Sequence, residues 1–479
     1  MKGDQLEALS FLSNVSDDQD LCEEAQEVFD GLYETWAADE EDDLEPTTEI
    51  YNLLISVYAN CGDLKTADGI LSKMEENAGD GMPSTDVETY TTIMDGFGKL
   101  KNLKKAEEVF ERLRSQNDID ISIDAYNAMF RLWKKSGDWN APQKAEDLLS
   151  DILSASAPSA DTETFCLVME CFSRNTPRKK MPSVPKKVEE LIALMEEELE
   201  NGNGSVNPTH RDIINIQMKA LGLSRKKQAA ADAVALLFGM IQRYQGNRNE
   251  DERPNAASFI NAINARKYDK SKESAERASE LMGVLENFHD MEVKEAGDED
   301  EDLDDLKPDA RVHNAVMNIW SRSEAPDKAA ETKNLFDKLQ SLHEETSDSD
   351  YAPNLRSYNY VISACAFTKG SEKECNAAMN LMVGLFNTMG KSDDEGVKPN
   401  HVTFGMVLKG CNNLIPTTQK KEKFIEKLFR KACRDGCVSD FVINALFEAS
   451  STSFVEDLLG SKVEDGIQIP EEWTKMLTD

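Results

Sequence analysis

The strongest constraint on this chain is a register. A ring or branched apolar side chain followed by a variable residue recurs at Tyr51-Asn52, Tyr90-Thr91, Tyr126-Asn127, Phe165-Cys166, Ile213-Ile214, Phe259-Ile260, His313-Asn314, Tyr358-Asn359, Phe404-Gly405 and Ile443-Asn444, at intervals of 36 to 54 residues. The interval from Val87 to Leu113 shows most clearly what each contains. Tyr90, Ile93, Met94 and Phe97 fall at i, i+3, i+4 and i+7, one apolar face of a helix. Leu103, Ala106, Phe110 and Leu113 form a second such face, and Lys101-Asn102 marks the turn between them. Helices this short are marginal alone in water, so each pair needs neighbours like itself.

Second helices are expected at Leu64–Met74, Ala141–Leu153, Val188–Leu199, Ala229–Tyr244, Ala275–Phe288, Ala329–Leu342, Ala377–Met389 and Lys423–Ala432. Leu21–Trp36 reads as another, with Gln5–Leu12 as its degenerate partner. Several anchors follow Pro254-Asn255, Pro308-Asp309, Pro353-Asn354 or Pro399-Asn400, where proline ends a loop and cannot continue a helix. Residues 445–479, which include Ile469-Pro470-Glu471-Glu472-Trp473, are expected to cap the last exposed face. A chain of 479 residues would suggest about three ordinary domains, but a stack of repeats grows without enlarging any single core.

The charge balance bears on function. Ninety acidic residues against 54 Lys and Arg give −36, normally an argument against a nucleic-acid partner. Yet 20 of the acids lie in four runs without Lys or Arg (39–45, 298–305, 344–350 and 393–395), which account for over half the imbalance. All four fall between a second helix and the next first helix, and are read as solvated loops. No apolar run approaches the ~18 residues of a membrane span. Residues 1–20 carry neither a signal-peptide core nor an Arg-rich amphipathic stretch, so the chain is expected to be cytosolic or to lack a transit segment. Nine scattered Cys without a CxxC pair favour reduced thiols, with Cys433 and Cys437 lining a core.

At this point the residues match a family. Val397-Lys398-Pro399-Asn400-His401-Val402-Thr403-Phe404, Leu306-Lys307-Pro308-Asp309, Ser357-Tyr358-Asn359 and the Val87–Leu113 unit resemble pentatricopeptide repeats, and the long variable intervals resemble divergent algal members. The resemblance spans residues 48–444, with degenerate repeats beginning at His210 and Ala256. It implies an all-α fold, a right-handed α-solenoid of about nine to ten antiparallel two-helix repeats. The expected division is a degenerate pair or cap over 1–47, the array over 48–439, and a partial repeat with a cap over 440–479. The tetratricopeptide alternative would show Trp-x-x-Leu-Gly-x-x-Tyr at a fixed 34-residue period, and neither is present.

Such arrays read single-stranded RNA one base per repeat. The resemblance implies that the fifth and last residues of each repeat face a base edge. Here those pairs are Asn52 with Asp86, Thr91 with Ser122, Asn127 with Asp161, Cys166 with Thr209, Ile214 with Asn255, Ile260 with Asp309, Asn314 with Asn354, Asn359 with Asn400, and Gly405 with Ser439. The Asn–Asp pairs resemble uridine readers, and the Asn–Asn pairs resemble pyrimidine readers that prefer cytidine. Their amides and carboxylates can match a pyrimidine edge, at about 1–3 kcal/mol of discrimination per good pair. Cys166, Ile214, Ile260 and Gly405 have no base meaning. The structural alternative for the polar residues is a helix N-cap.

The second residue of each repeat is implied to stack on the base. It is Glu49, Glu88, Asp124 and Glu163 early in the chain, then Arg211, Ala257, Arg311, Arg356 and Val402. Arginine planes stack on bases and carboxylates do not, so the C-terminal half is expected to contribute more, through Arg311, Arg356 and Val402. Lys99, Lys135, Arg174 and Arg322 match the family's phosphate-facing position. The alternative for each is an ordinary exposed charge at a helix end.

No catalytic constellation is present in the sequence, and no cofactor or metal is implied. The five His are dispersed, and His343-Glu344-Glu345 lacks the Pro-Cys-x-x-Cys of a zinc deaminase. The sequence therefore points to a non-enzymatic binder of pyrimidine-leaning single-stranded RNA. By resemblance it serves RNA stability, processing or expression in a mitochondrion or plastid. The rival is a protein-interaction scaffold that binds no RNA, motivated by the acidic balance and the blank readers. Protein partners and oligomeric state are not fixed by the sequence.

Overall fold

The computed structural model describes residues 10, 20–39, 46–77, 82–154, 158–297, 301–415, 419–460 and 469–477. They form two compact units, residues 1–224 and 225–479.

The first unit opens on α1 (Asp20–Asp39), followed by the pairs α2 (Thr48–Asn60) with α3 (Leu64–Asn77), α4 (Val87–Lys99) with α5 (Leu103–Ser115), α6 (Ile123–Ser136) with α7 (Ala141–Ser154), and α8 (Thr162–Asn175) with α9 (Val184–Glu200). It closes on α10 (Arg211–Leu221). The second unit opens on α11 (Gln228–Asn247). It continues with α12 (Ala256–Asn264) and α13 (Lys272–Ala296), α14 (Ala310–Arg322) and α15 (Lys328–Thr346), α16 (Leu355–Ala366) and α17 (Glu372–Lys391), α18 (His401–Leu414) and α19 (Gln419–Arg434), and α20 (Asp440–Ala449) and α21 (Thr452–Leu459). This is an α-solenoid of helical repeats. Gln5–Leu12 lies outside the described residues apart from Ser10, as do 40–45 and 298–300 of the acidic runs.

Within each unit the first helices stand side by side, α6 on α8 in one, and α14 on α16 on α18 on α20 in the other. The anchors Tyr90, Phe165, Phe259, His313 and Phe404 are fully buried. A phenylalanine of one second helix meets the anchor of the next first helix edge-on: Phe29 on Tyr51 at 5.0 Å, Phe110 on Tyr126 at 5.5 Å, Phe336 on Tyr358 at 4.8 Å and Phe386 on Phe404 at 5.3 Å. Such ring pairs contribute about 0.5–1.5 kcal/mol each beyond their burial, which is why the aromatic register identifies the repeat. Lys101 takes φ 57° in the tight turn between α4 and α5.

The 3₁₀ turns after α21 fold back on α19. Trp473 sits edge-on to Phe429 at 5.9 Å, Val438 N donates to Trp473 O at 2.8 Å, and Met476 N donates to Gly436 O at 3.1 Å. The described acidic segments are partly structured by a cation. Lys307 Nζ lies 2.5 Å from Asp348 and 3.6 Å from both Asp304 and Asp350, which ties two loops to one lysine. All nine cysteines are free thiols; Cys433 is half-buried and Cys437 buried.

Candidate nucleic-acid interface

The residues expected to read bases are held by the start of the following helix. Asp86 caps α4, accepting from Thr89 N, while Asn52 Nδ2 donates to Asp86 Oδ1 at 3.0 Å and Thr89 Oγ1 donates to Asn52 Oδ1 at 2.7 Å. The same arrangement joins Asn127 to Asp161 at 3.4 Å, with Thr164 Oγ1 donating to Asn127 Oδ1 at 2.9 Å. Asn314 Nδ2 donates to Asn354 Oδ1 at 3.3 Å, and Asn354 caps α16. Asn359 and Asn400 are bridged by Thr403, whose Oγ1 lies 2.7 Å from Asn359 Oδ1 and 3.1 Å from Asn400 Oδ1. The four Asn-headed pairs are thus brought together, and their second members are also N-caps. The expected readers and the caps are therefore one set of atoms.

What remains open chemically differs between the pairs. In each Asn–Asp pair, one amide hydrogen and the carboxylate Oδ2 keep no partner among the described residues, because Oδ1 takes every side-chain bond to the aspartate. Asn127 is fully buried and Asn52 is 4% exposed, so the first-helix packing covers both amides. Among the described residues, Asn314 Oδ1 is a buried acceptor without a partner.

Thr91 and Ser122 are not joined. Thr91 Oγ1 donates back to Val87 O and Glu88 O, and Ser122 caps α6 without a side-chain bond. At the last pair the reader slot is filled. A Cβ on Gly405 would stand 2.3 Å from the Phe441 ring, over which Lys409 Nζ lies at 5.6 Å. Phe441 is the second residue of the following repeat, so glycine here makes room for a ring.

The stacking positions are uneven. Arg311 is tied back to Asp309, the preceding cap, through its Nε. Arg356 is exposed and Val402 half-buried. Burial raises the Tyr360 phenol above its ordinary range, and the charges of Arg356 and Arg322 oppose the rise.

Carboxylates also occupy the cations of the first-helix face in the first unit, a feature that sequence spacing did not reveal. Arg131 reaches Glu163 at 2.7 Å, and Lys134 reaches Glu170 at 2.8 Å. Arg174 and Lys219 lie 3.9 and 3.8 Å from the same Glu170. Burial acts to raise the Glu170 carboxyl, but Lys134, Lys219 and Arg174 outweigh it and hold it below the usual range. Lys99 Nζ donates to Asn60 Oδ1 at 2.8 Å, and Lys135 is exposed. Among the described residues no cluster of three His, Cys, Asp or Glu could hold a metal ion, and no helix is long and apolar enough to cross a membrane.

Comparison with known proteins gives a concordant result. The PPR repeat model matches residues 49–77 and 88–117. A chloroplastic pentatricopeptide repeat-containing protein of Arabidopsis thaliana is 21% identical over 82% of this chain and 45% of its own length. A second Arabidopsis thaliana pentatricopeptide repeat-containing protein is 29% identical over 22% of this chain and 28% of its own. The chain therefore spans less than half the length of these relatives. Among solved structures, PPR10 in complex with an 18-nucleotide psaJ RNA element superposes with a TM-score of 0.53 at 15% identity, over 96% of this chain and 60% of PPR10. That likeness is one of fold.

Proposed function

We propose that this chain is a pentatricopeptide repeat protein and that it binds single-stranded RNA, with a leaning to pyrimidines, along the first helices that stand side by side within each unit. The observation that carries this reading is the recurrence, in register, of a paired fifth and last residue. Asn52 with Asp86, Asn127 with Asp161, and Asn314 with Asn354 hydrogen-bond directly, and Thr403 bridges Asn359 to Asn400. The four pairs fall in the first, third, seventh and eighth repeats, so the last two stand one repeat apart, the spacing of one-base-per-repeat recognition. Asn52–Asp86 and Asn127–Asp161 are uridine readers in this reading; Asn314–Asn354 and Asn359–Asn400 are cytidine-preferring ones. Arg356 and Val402 flank a base in the second unit, and Lys99, Lys135, Arg174 and Arg322 face phosphates. PPR10, whose fold this chain shares, is held in complex with RNA. A chloroplastic relative supports a role in organellar RNA stability, processing or expression.

The ion pairs Arg131–Glu163 and Lys134–Glu170 favour a second reading, a scaffold that binds protein and no RNA. Fluorescence anisotropy with pyrimidine-rich and purine-rich strands, from low to physiological salt, separates the two. Retention of pyrimidine strands with a negative salt slope supports the first reading. A folded, helical chain that retains no RNA pool at low salt sinks it.

A further inference from the structure

One cleft in the second unit is lined by cations that form no ion pair among the described residues. It encloses about 550 Å³ between three successive inter-helix turns, with Lys270 from the α12–α13 turn, Arg322 and Lys328 from either side of the α14–α15 turn, and Lys369 from the α16–α17 turn. Neighbouring lysines of this unit are matched: Lys272 with Asp327 at 2.6 Å and Lys338 with Glu286 at 2.6 Å. Among the described residues, no Asp or Glu oxygen lies within 4.0 Å of Lys270, Arg322, Lys328 or Lys369, and the cleft holds a single acid, Glu324.

Lys328 makes the cleft more than a basic surface. It is 6% exposed and donates one hydrogen bond, Nζ to Ser323 O at 3.0 Å. An ammonium carries three N–H groups, so two remain for another acceptor. Burial pulls its pKa below the ordinary lysine range; Lys369 and Lys270 lower it further, and Glu324 opposes them. A buried cation without an anion is costly, and a bound anion relieves that cost. Tyr360, Asn359 and Val402 form the adjoining wall, where an aromatic face and an amide stand ready for a base.

We propose that this cleft is a phosphate-binding site, with Lys328 at its floor and Lys270, Lys369 and Arg322 at its rim. The source of the phosphate favoured by the adjoining wall is the backbone of a single RNA strand, and that part rests on the RNA-binding reading above. A free phosphate compound offers the same oxygens.

The test uses the full chain and three variants: Lys270→Gln/Lys369→Gln, Lys328→Met, and a control, Lys65→Gln/Lys104→Gln, with the same charge change on exposed second-helix positions. Anisotropy with a pyrimidine-rich strand over a salt series reads the first source, and ³¹P line broadening of inorganic pyrophosphate reads the second. Each lost phosphate contact removes about 0.7 from the log–log salt slope for a single strand. The cleft double variant is therefore expected to lower that slope by about 1.4 relative to the control, and both cleft variants to abolish pyrophosphate broadening. Lost broadening with an RNA slope equal to the control's keeps the site and overturns its assignment to RNA. Lost broadening in a chain that binds no RNA at all keeps the site and sinks the RNA-binding reading. No broadening by the unaltered chain, together with equal slopes in cleft and control variants, overturns the cleft.

Discussion

Asn52 and Asp86, 34 residues apart, share one hydrogen bond of 3.0 Å, and the same Asp86 Oδ1 accepts from Thr89 N at the start of α4. Stability and recognition therefore meet on one carboxylate. Asp86→Ala removes a cap worth about 1 kcal/mol and takes the acceptor from the buried Asn52 Nδ2, which adds about 1–3 kcal/mol. Asp86→Asn keeps an acceptor. Amide hydrogen exchange in α4 is expected to accelerate strongly in the Ala variant and weakly in the Asn variant. Equal exchange in both would show that the cap contributes nothing there.

Asn359 separates the two roles better, because Asn400 caps α18 through its own bond with Thr403 N. Asn359→Ala leaves that cap in place. It is expected to weaken binding of a cytidine-containing strand by about 1–3 kcal/mol and to relax preference at one base only. Selection of bound strands from a random library reads this out; an unchanged preference at every position contradicts the assignment of Asn359.

Glu170 is the carboxylate with most to lose. It meets Lys134 at 2.8 Å and lies near Arg174 and Lys219, so Glu170→Gln releases cations to an incoming strand. RNA affinity at low salt is expected to rise and the salt slope to steepen. Stability responds in the opposite sense. The folded carboxyl titrates below its ordinary value of 4.5, so its contribution is complete above pH 4.5 and disappears as pH falls through the lower folded value. Urea midpoints of the parent and the Gln variant should therefore differ at neutral pH and converge in acid.

The fold is legible because one signal repeats. Tyr51, Tyr126 and Phe404 each sit where an incoming second-helix ring requires them, and some helix ends drift from the expected ones: α13 runs from Lys272 to Ala296 rather than Ala275 to Phe288. The pairing of Asn52 with Asp86 and of Asn127 with Asp161 is legible for the same reason, since fifth and last residues keep a fixed relation to the anchors. The ion pairs are not. Lys134 and Glu170 carry no local pattern, and only the lateral packing of α6 on α8 brings them together. The cleft lysines 270, 328 and 369 come from three repeats of unequal length, so no spacing links them.

Gly405 gives the sharpest packing test. In most helix interiors, exchanging glycine for alanine gains about 1 kcal/mol. Here the new methyl would stand 2.3 Å from the Phe441 ring, and forcing an atom into filled space costs about 1–3 kcal/mol. Gly405→Ala is therefore expected to lower the melting temperature, and adding Phe441→Ala to relieve the strain, so that the two changes are strongly non-additive. Additive effects in a double-mutant cycle would place Phe441 away from Gly405. If the cycle behaves as expected, Gly405→Asn with Phe441→Ala restores a polar fifth residue at this repeat, and the base preference selected from a random library should extend by one position.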